Sequence, residues 1–354
     1  MATKRIEHID VWRFFAVMLV IQEHFLLFSG IDIYLPQIEP YSLQIERFGE
    51  LGVLIFFSIS GFVICMGLNS EKNKTGRVCL SAFCARRFFR IVPPLWFYLA
   101  CTMTLSAFGA IKISGQQVLT SAAFLCNMPF EKGCSWFAGH TWSLAYEEQF
   151  YLLFPLLFLW TMRGVKNLRI LTAMGILIAS ALMLIYVKQP FWADYCTYFL
   201  FLLTGCYTAL LPENWMQRLR NLPFLVWLLA VVLLVSGMCL LSNNQDMFLK
   251  ILVYPVLIQV IVFGTPTQLS LFKSVFKNAS LSYLGRISYS VYLWQELAMA
   301  YYKNMPWWIN LVYLVLVFGF AVLSFRYFEM PCQRLGTRLS NRLKESRASV
   351  YKFR

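Results

Sequence analysis

The sequence predicts an all-α fold, a polytopic transmembrane bundle of about ten spanning helices with both termini on the cytoplasmic side. Three observations carry this reading. Hydrophobic residues make up 59% of the 354, aromatic residues 17% and charged residues only 14%, a balance outside the range of soluble domains. Apolar stretches long enough to cross a hydrocarbon core recur at 9–28, 51–68, 91–110, 142–161, 168–187, 191–211, 222–241, 247–264, 284–302 and 308–328. The Lys and Arg residues then divide unevenly between the two sides that this helix order defines. One side holds 24 of the 31 and the other six, with Arg13 inside a helix, and the richer side is the cytoplasmic one. Residues 1–335 are read as one membrane domain, followed by a basic tail, 336–354, that is expected to lie on anionic lipid. No polar stretch leaves room for a separate soluble domain.

The net charge of +14 does not imply nucleic acid, because the excess sits in short juxtamembrane loops and the tail, where topology explains it. The ten cysteines are scattered without metal-like spacing, so they are read as free packing residues and no metal is expected. A cleaved signal peptide is not expected either, since Arg13, Glu23 and His24 break the first apolar run and no small-residue cleavage pattern follows.

The first helix, IDVWRFFAVMLVIQEHFLLF, carries the strongest functional signal. Asp10, Arg13, Glu23 and His24 interrupt it, and each ionisable group near a bilayer centre costs about 2.5–3.5 kcal/mol on insertion scales. At about 3.6 residues per turn, Asp10, Arg13, Val17, Val20 and His24 share one stripe, and His24 lies about 16 Å along the axis from Arg13. A single interior histidine is usually a satisfied core residue. Four ionisable groups in one span, three of them on a common stripe, point to function instead.

A polar loop, 30–50, with Asp32, Glu39, Glu46 and Glu50, is long enough to cap an external opening. The second helix carries Gly52, Ser58, Ser60 and Gly61, which read first as close-packing residues, with Ser60 also a possible nucleophile. Arg86, Arg87 and Arg90 then cluster before Pro93-Pro94 on the cytoplasmic side. They have two readings, a topology signal or a rigid fork for the phosphates of a cytoplasmic cosubstrate, and the second is the sharper. The segment 111–140 is too polar and broken to span, although 118–128 is apolar enough to dip into the interface.

In the fourth helix, GHTWSLAYEEQFYLLFPLL, Trp142, Ser143, Glu147 and Glu148 enter from outside. Glu147 needs a partner there, and Arg13 or His24 is the expected one. Helices five to eight read as scaffold and cavity wall, with Trp192, Tyr195 and Tyr198 as interface belt or sugar-stacking platforms. The ninth segment is polar on one face through Ser288, Tyr292 and Gln295, and in the last helix Arg326 and Glu329 are spaced for an intrahelical pair.

Taken together these stretches resemble acyltransferase family 3, membrane acyltransferases that O-acylate bacterial cell-envelope carbohydrates. The resemblance rests on Arg-x10-His as Arg13 to His24 preceded by Asp10, on FFSISGF, and on Arg87-Phe-Phe-Arg90 before Pro-Pro. It rests further on HTWSLAYEEQFYL, ISYSVYLWQ and FEMP, and it covers essentially the whole chain. One departure is visible, since many members carry His where this chain has Gln295. Some members also carry an extracytoplasmic hydrolase-like domain that has no counterpart in the stretches above. Transfer is therefore expected to be completed by the membrane part or by a partner.

The resemblance implies an integral protein of the bacterial inner membrane that moves an acyl group, acetyl foremost, from cytoplasmic acetyl-CoA or another acyl-CoA to a carbohydrate hydroxyl. His24 is the expected base, Asp10 and Arg13 order the helix entrance, and Glu147 orients or charge-balances His24. Arg86, Arg87 and Arg90 hold the CoA phosphates, while Trp142 and Ser143 face the acceptor. Direct transfer and a covalent acyl-enzyme on Ser143 both stay open. A different class is a secondary transporter with Arg13, His24 and Glu147 as a proton relay. A third is a carbohydrate-binding component without catalysis. The acceptor and the oligomeric state are not legible.

Overall fold

The computed structural model describes residues 7–28, 36–129, 134–160, 170, 172–178, 180–181, 190–241, 249–299 and 306–352. Among them every regular element is helical, as an all-α membrane protein requires. In chain order these are α1 (Glu7–Phe28), a 3-10 turn (Pro36–Tyr41), α2 (Ser42–Thr75), α3 (Leu80–Ala107), α4 (Gly115–Ala122), α5 (Trp136–Gly139), α6 (Thr141–Trp160), α7 (Pro190–Ala209), α8 (Glu213–Arg220), α9 (Phe224–Leu240) and α10 (Tyr254–Phe263). Then come α11 (Ser270–Phe276), α12 (Ala279–Arg286), α13 (Ser288–Trp294), a 3-10 turn (Gln295–Leu297), α14 (Trp307–Ser324), a π turn (Phe325–Glu329) and α15 (Met330–Lys352).

Four stretches of helix among the described residues are long and apolar enough to cross a membrane: His8–Phe28, Glu39–Thr75, Leu80–Ala107 and Leu311–Ser346. A fifth is added if Tyr195–Ala209 and Glu213–Arg220, bent by 109°, count as one span. Half of the helix expected over 168–187 falls outside the described residues.

The chain divides into two compact units, residues 1–70 with 146–288 and residues 71–145 with 289–354. In the first unit, small residues let helices touch backbone to backbone. A Cβ on Gly61 of α2 would overlap the carbonyl oxygen of Leu202 on α7, and one on Gly205 of α7 would overlap that of Ser58 on α2. Gly52 likewise lies on the Ala16 carbonyl of α1, and Gly285 of α12 on that of Asp10.

Two expectations are corrected in this unit. The second half of the predicted loop 30–50 is helix, because its polar residues find buried partners. Arg47, only 3% exposed, donates to the carbonyls of Met238 (2.7 Å) and Leu241 (2.9 Å) at the end of α9, and Lys250 pairs with Glu50 at 2.5 Å. A guanidinium at a helix C-terminus meets both the unsatisfied carbonyls and the negative end of the dipole. The ninth segment, read as one helix over 284–302, is broken at Ile287, where α12, packed against α1, ends and α13 begins.

In the second unit α15 continues the chain as a helix docked on α3. Gly336 lies against Phe89 and Ala85, Arg86 donates to the buried Ser340 hydroxyl, and Lys344 pairs with Glu71 at 2.9 Å. The reading of all ten cysteines as free is also corrected: Cys126 and Cys134 form a disulfide with Cα atoms 5.7 Å apart. Thr141 donates to Cys126 Sγ at 3.1 Å, which ties this staple to the start of α6.

Candidate active site

In the first unit α1 presents its charged stripe inward. Asp10 and Arg13, one turn apart, lie 3.7 Å from each other, and Val17 and Val20 below them are 1% and 2% exposed. The neighbouring indole of Trp12 donates to Thr265 at 2.8 Å, fixing the rotation of α1. His24 is half-buried, with its ring edge-on to Phe28 at 6.0 Å. Glu23 turns to α2, where its side chain covers Gly49 within reach of the charges of Glu46 and Glu50.

Glu147 does not pair with Arg13 or His24 as expected. Its Oε1 accepts from Ser60 of α2 at 2.5 Å and its Oε2 from Tyr151 one turn along α6 at 3.0 Å. Each oxygen of the carboxylate therefore takes a hydroxyl in place of the expected cation. The contact also sharpens Ser60, which in sequence reads mainly as a packing residue. A carboxylate on a serine hydroxyl polarises its O–H bond and orients its lone pairs.

In the second unit the three arginines of α3 have different surroundings. Arg86 is tied to Ser340 and lies 3.5 Å from Glu71, whose carboxylate also accepts from the Cys79 amide at 3.1 Å. Arg87 sits over the Phe83 ring at 5.7 Å. Arg90 faces the charge of Glu329, a carboxylate that is 1% exposed among Ser290 and Ser324. The expected Arg326–Glu329 pair is not among the ion pairs of the described residues: both lie in the π turn, and Arg326 sits over the Tyr327 ring at 5.8 Å. Ser143 is buried, 2.8 Å from the Tyr292 hydroxyl, while Trp142 is half-buried.

Two residues that sequence reasoning passed over meet here. His140 Nδ1 lies 3.7 Å from Glu296 Oε1, both side chains almost fully enclosed, and Tyr292 donates to the His140 carbonyl at 2.9 Å. The signal was present, since Glu296 is an ionisable residue inside an apolar segment, the same anomaly that marks His24.

A family profile described as "Acyltransferase domain" (Acyl_transf_3) matches residues 6–326, which takes in the α1 stripe, the α3 arginines and the motif that opens α6. The chain belongs to this family. Among its curated relatives, O-acetyltransferase OatA of Staphylococcus aureus (strain NCTC 8325 / PS 47) is 25% identical over 323 residues, covering 81% of this chain and 53% of the relative. Peptidoglycan O-acetyltransferase OatA of Listeria monocytogenes is 26% identical over 332 residues, covering 81% and 52%. The chain thus spans about half the length of the curated relatives it matches. No solved structure matches it.

Proposed function

We propose that this member of acyltransferase family 3 is an O-acyltransferase of the bacterial inner membrane, moving an acetyl group from cytoplasmic acetyl-CoA to a hydroxyl of a cell-envelope carbohydrate. The observation that carries it is the charged stripe of α1, a buried Asp10 beside Arg13 and a half-buried His24, in a helix otherwise apolar enough to span a bilayer. The names of the relatives support the acetyl group and an envelope glycan as acceptor.

The chemistry needs three provisions. A base takes the hydroxyl proton, the oxygen attacks the thioester carbonyl, and the expelled thiolate receives a proton. His24 fills the role of base and proton carrier, since an imidazole accepts and returns a proton near neutral pH. Arg13, paired with Asp10, orders the entrance of the helix about three turns away from His24 and keeps that entrance positive for an anionic donor. Arg87 and Arg90 grip the CoA phosphates, with Arg86 anchoring the helix that presents them. The Ser60–Glu147 pair orders hydroxyl groups in the span. The two-sided distribution of basic residues supports both termini facing the cytoplasm, where the donor is made.

The test is a sealed proteoliposome assay with radiolabelled acetyl-CoA. Free CoA release together with label on glycan supports the reading. A transporter would release no CoA, and a binding component would do so at the rate of empty vesicles.

A further inference from the structure

In the first unit, two connections between long apolar helices are themselves short helices. α8 follows α7 after a bend of 109°, and α11 lies between α10 and α12. A helix set across the direction of its span runs along the bilayer surface instead of through it. Both short helices are held from their inner sides. Met216 of α8 is buried, and Gly264 at the end of α10 lies against the Leu219 carbonyl and the Leu222 side chain. Phe272 of α11 packs edge-on against Trp227 of α9 at 5.0 Å, and Phe276 stands 5.6 Å from Trp12 of α1.

Their outer sides mix exposed apolar groups with cations. On α8 Trp215 is 53% exposed, the Arg218 guanidinium lies over its ring at 5.2 Å, and Arg220 is exposed as well. On α11 Leu271 is 70% exposed beside the exposed Lys273, and Leu269 and Lys277 flank the helix, both exposed. Residues 213–220 and 269–277 together hold four cations and one acid, Glu213, which lies 3.7 Å from Arg220. An indole or leucine beside a long cationic side chain suits the boundary of a bilayer, where the apolar part enters the acyl layer and the charge reaches the phosphates.

We propose that α8 and α11 form a binding surface for anionic phospholipid of the cytoplasmic leaflet, with Trp215, Leu269 and Leu271 at the acyl boundary and Arg218, Arg220, Lys273 and Lys277 on the headgroup phosphates. Three observations favour this occupant. The excess of cations complements an acidic leaflet, and both helices fall on the side that the basic residues mark as cytoplasmic. The start of α9, between them in the chain, exposes Phe224 and Leu225, so the patch continues into the apolar surface of a membrane helix. A soluble anion would account for the cations but not for the exposed indole and leucines beside them. The proposal does not depend on the acyltransferase chemistry.

The test places the full chain in phosphatidylcholine nanodiscs with a trace of phosphatidylglycerol that carries a diazirine near the glycerol end of one acyl chain, or with the matched phosphatidylcholine probe. The phosphatidylglycerol probe should label both 213–220 and 269–277 about tenfold more than the phosphatidylcholine probe. Unlabelled phosphatidylglycerol should compete, whereas glycerol phosphate and acetyl-CoA should not. Arg218→Gln/Arg220→Gln/Lys273→Gln/Lys277→Gln changes only exposed side chains, so it should keep the native yield and melting temperature in phosphatidylcholine and lose the preference. Should that variant fold poorly, the two double variants, one for each helix, should each lose the preference at their own helix. Equal labelling by the two probes, labelling confined to one helix, or a preference that survives the substitutions overturns the proposal. Competition by acetyl-CoA also overturns it and assigns these cations to the donor.

Discussion

Ser60 of α2 donates a 2.5 Å hydrogen bond to Oε1 of Glu147 on α6, and Tyr151 holds the other oxygen of the same carboxylate. Hydrogen bonds to charged groups contribute about 1.5–3 kcal/mol, so Ser60→Ala should lower kcat/KM by about tenfold to a hundredfold. Glu147→Gln should cost at least as much. The double variant should lose little more than Glu147→Gln alone, because the two residues act as a unit. Steady-state transfer in proteoliposomes measures this, and fully additive losses would separate their roles. Detection of an acyl ester on Ser60 by peptide mass analysis would instead make that hydroxyl the nucleophile.

His24→Ala should abolish transfer while expression and membrane insertion persist, because removing an ionisable group from a span does not hinder insertion. Cell-surface acetylation and the yield of membrane-extracted protein check the two halves. Acetylation near the native rate would falsify the assignment of the base.

The arginines of α3 should separate. Arg87→Ala and Arg90→Ala are expected to raise the KM for acetyl-CoA by about tenfold to a hundredfold, the loss of one charge-assisted phosphate contact. Lysine should rescue only in part, since it lacks the planar fork. Arg86 is bound to Ser340 and lies beside Glu71, so Arg86→Ala should lower the melting temperature through loss of the α15 docking, with a smaller effect on donor affinity. An Arg86 variant with native stability and a large rise in KM would return that residue to the donor site.

Reduction of Cys126–Cys134 should destabilise the segment that leads into α6. Closing a loop of this length stabilises a fold by about 2.5 kcal/mol in the chain-entropy account. The Cys126→Ser/Cys134→Ser variant should therefore melt lower than the native chain and lose its sensitivity to dithiothreitol. Equal melting with and without reductant in the native protein would show that the bridge contributes nothing.

The charged stripe of α1 was legible because ionisable residues stand out in an apolar run, and the small residues of α2 announced close packing for the same kind of reason. What the sequence hid were partners far along the chain. Arg47 looks like a loop residue until Met238 and Leu241 offer their carbonyls, and only then can α2 begin at Ser42. The break at Ile287 is set by α12 pressing Gly285 onto Asp10, a tertiary contact without a local signature. A search for opposite charges also misdirected the reading of Glu147, whose needs are met by hydroxyls. A separation of eight positions between two cysteines carries no pattern that distinguishes a bridge from chance.

The two substrates should approach from opposite faces of the membrane. The α3 arginines fall on the side that the basic residues mark as cytoplasmic, whereas Trp142, Ser143 and the segment 111–140 fall on the other side of the predicted helix order. On the proposed topology His24 falls about 16 Å beyond Arg13 along α1, so the thioester arm of the proposed donor would thread partway into the span to meet a hydroxyl presented from outside. In sealed vesicles of known orientation, acetyl-CoA should act only from the cytoplasmic side and the acceptor only from the opposite side or within the bilayer. Permeabilising the vesicles should abolish this sidedness without raising the rate for correctly oriented protein. If donor and acceptor both work from the cytoplasmic side, the across-membrane route is wrong, and the acceptor is modified before it is exported.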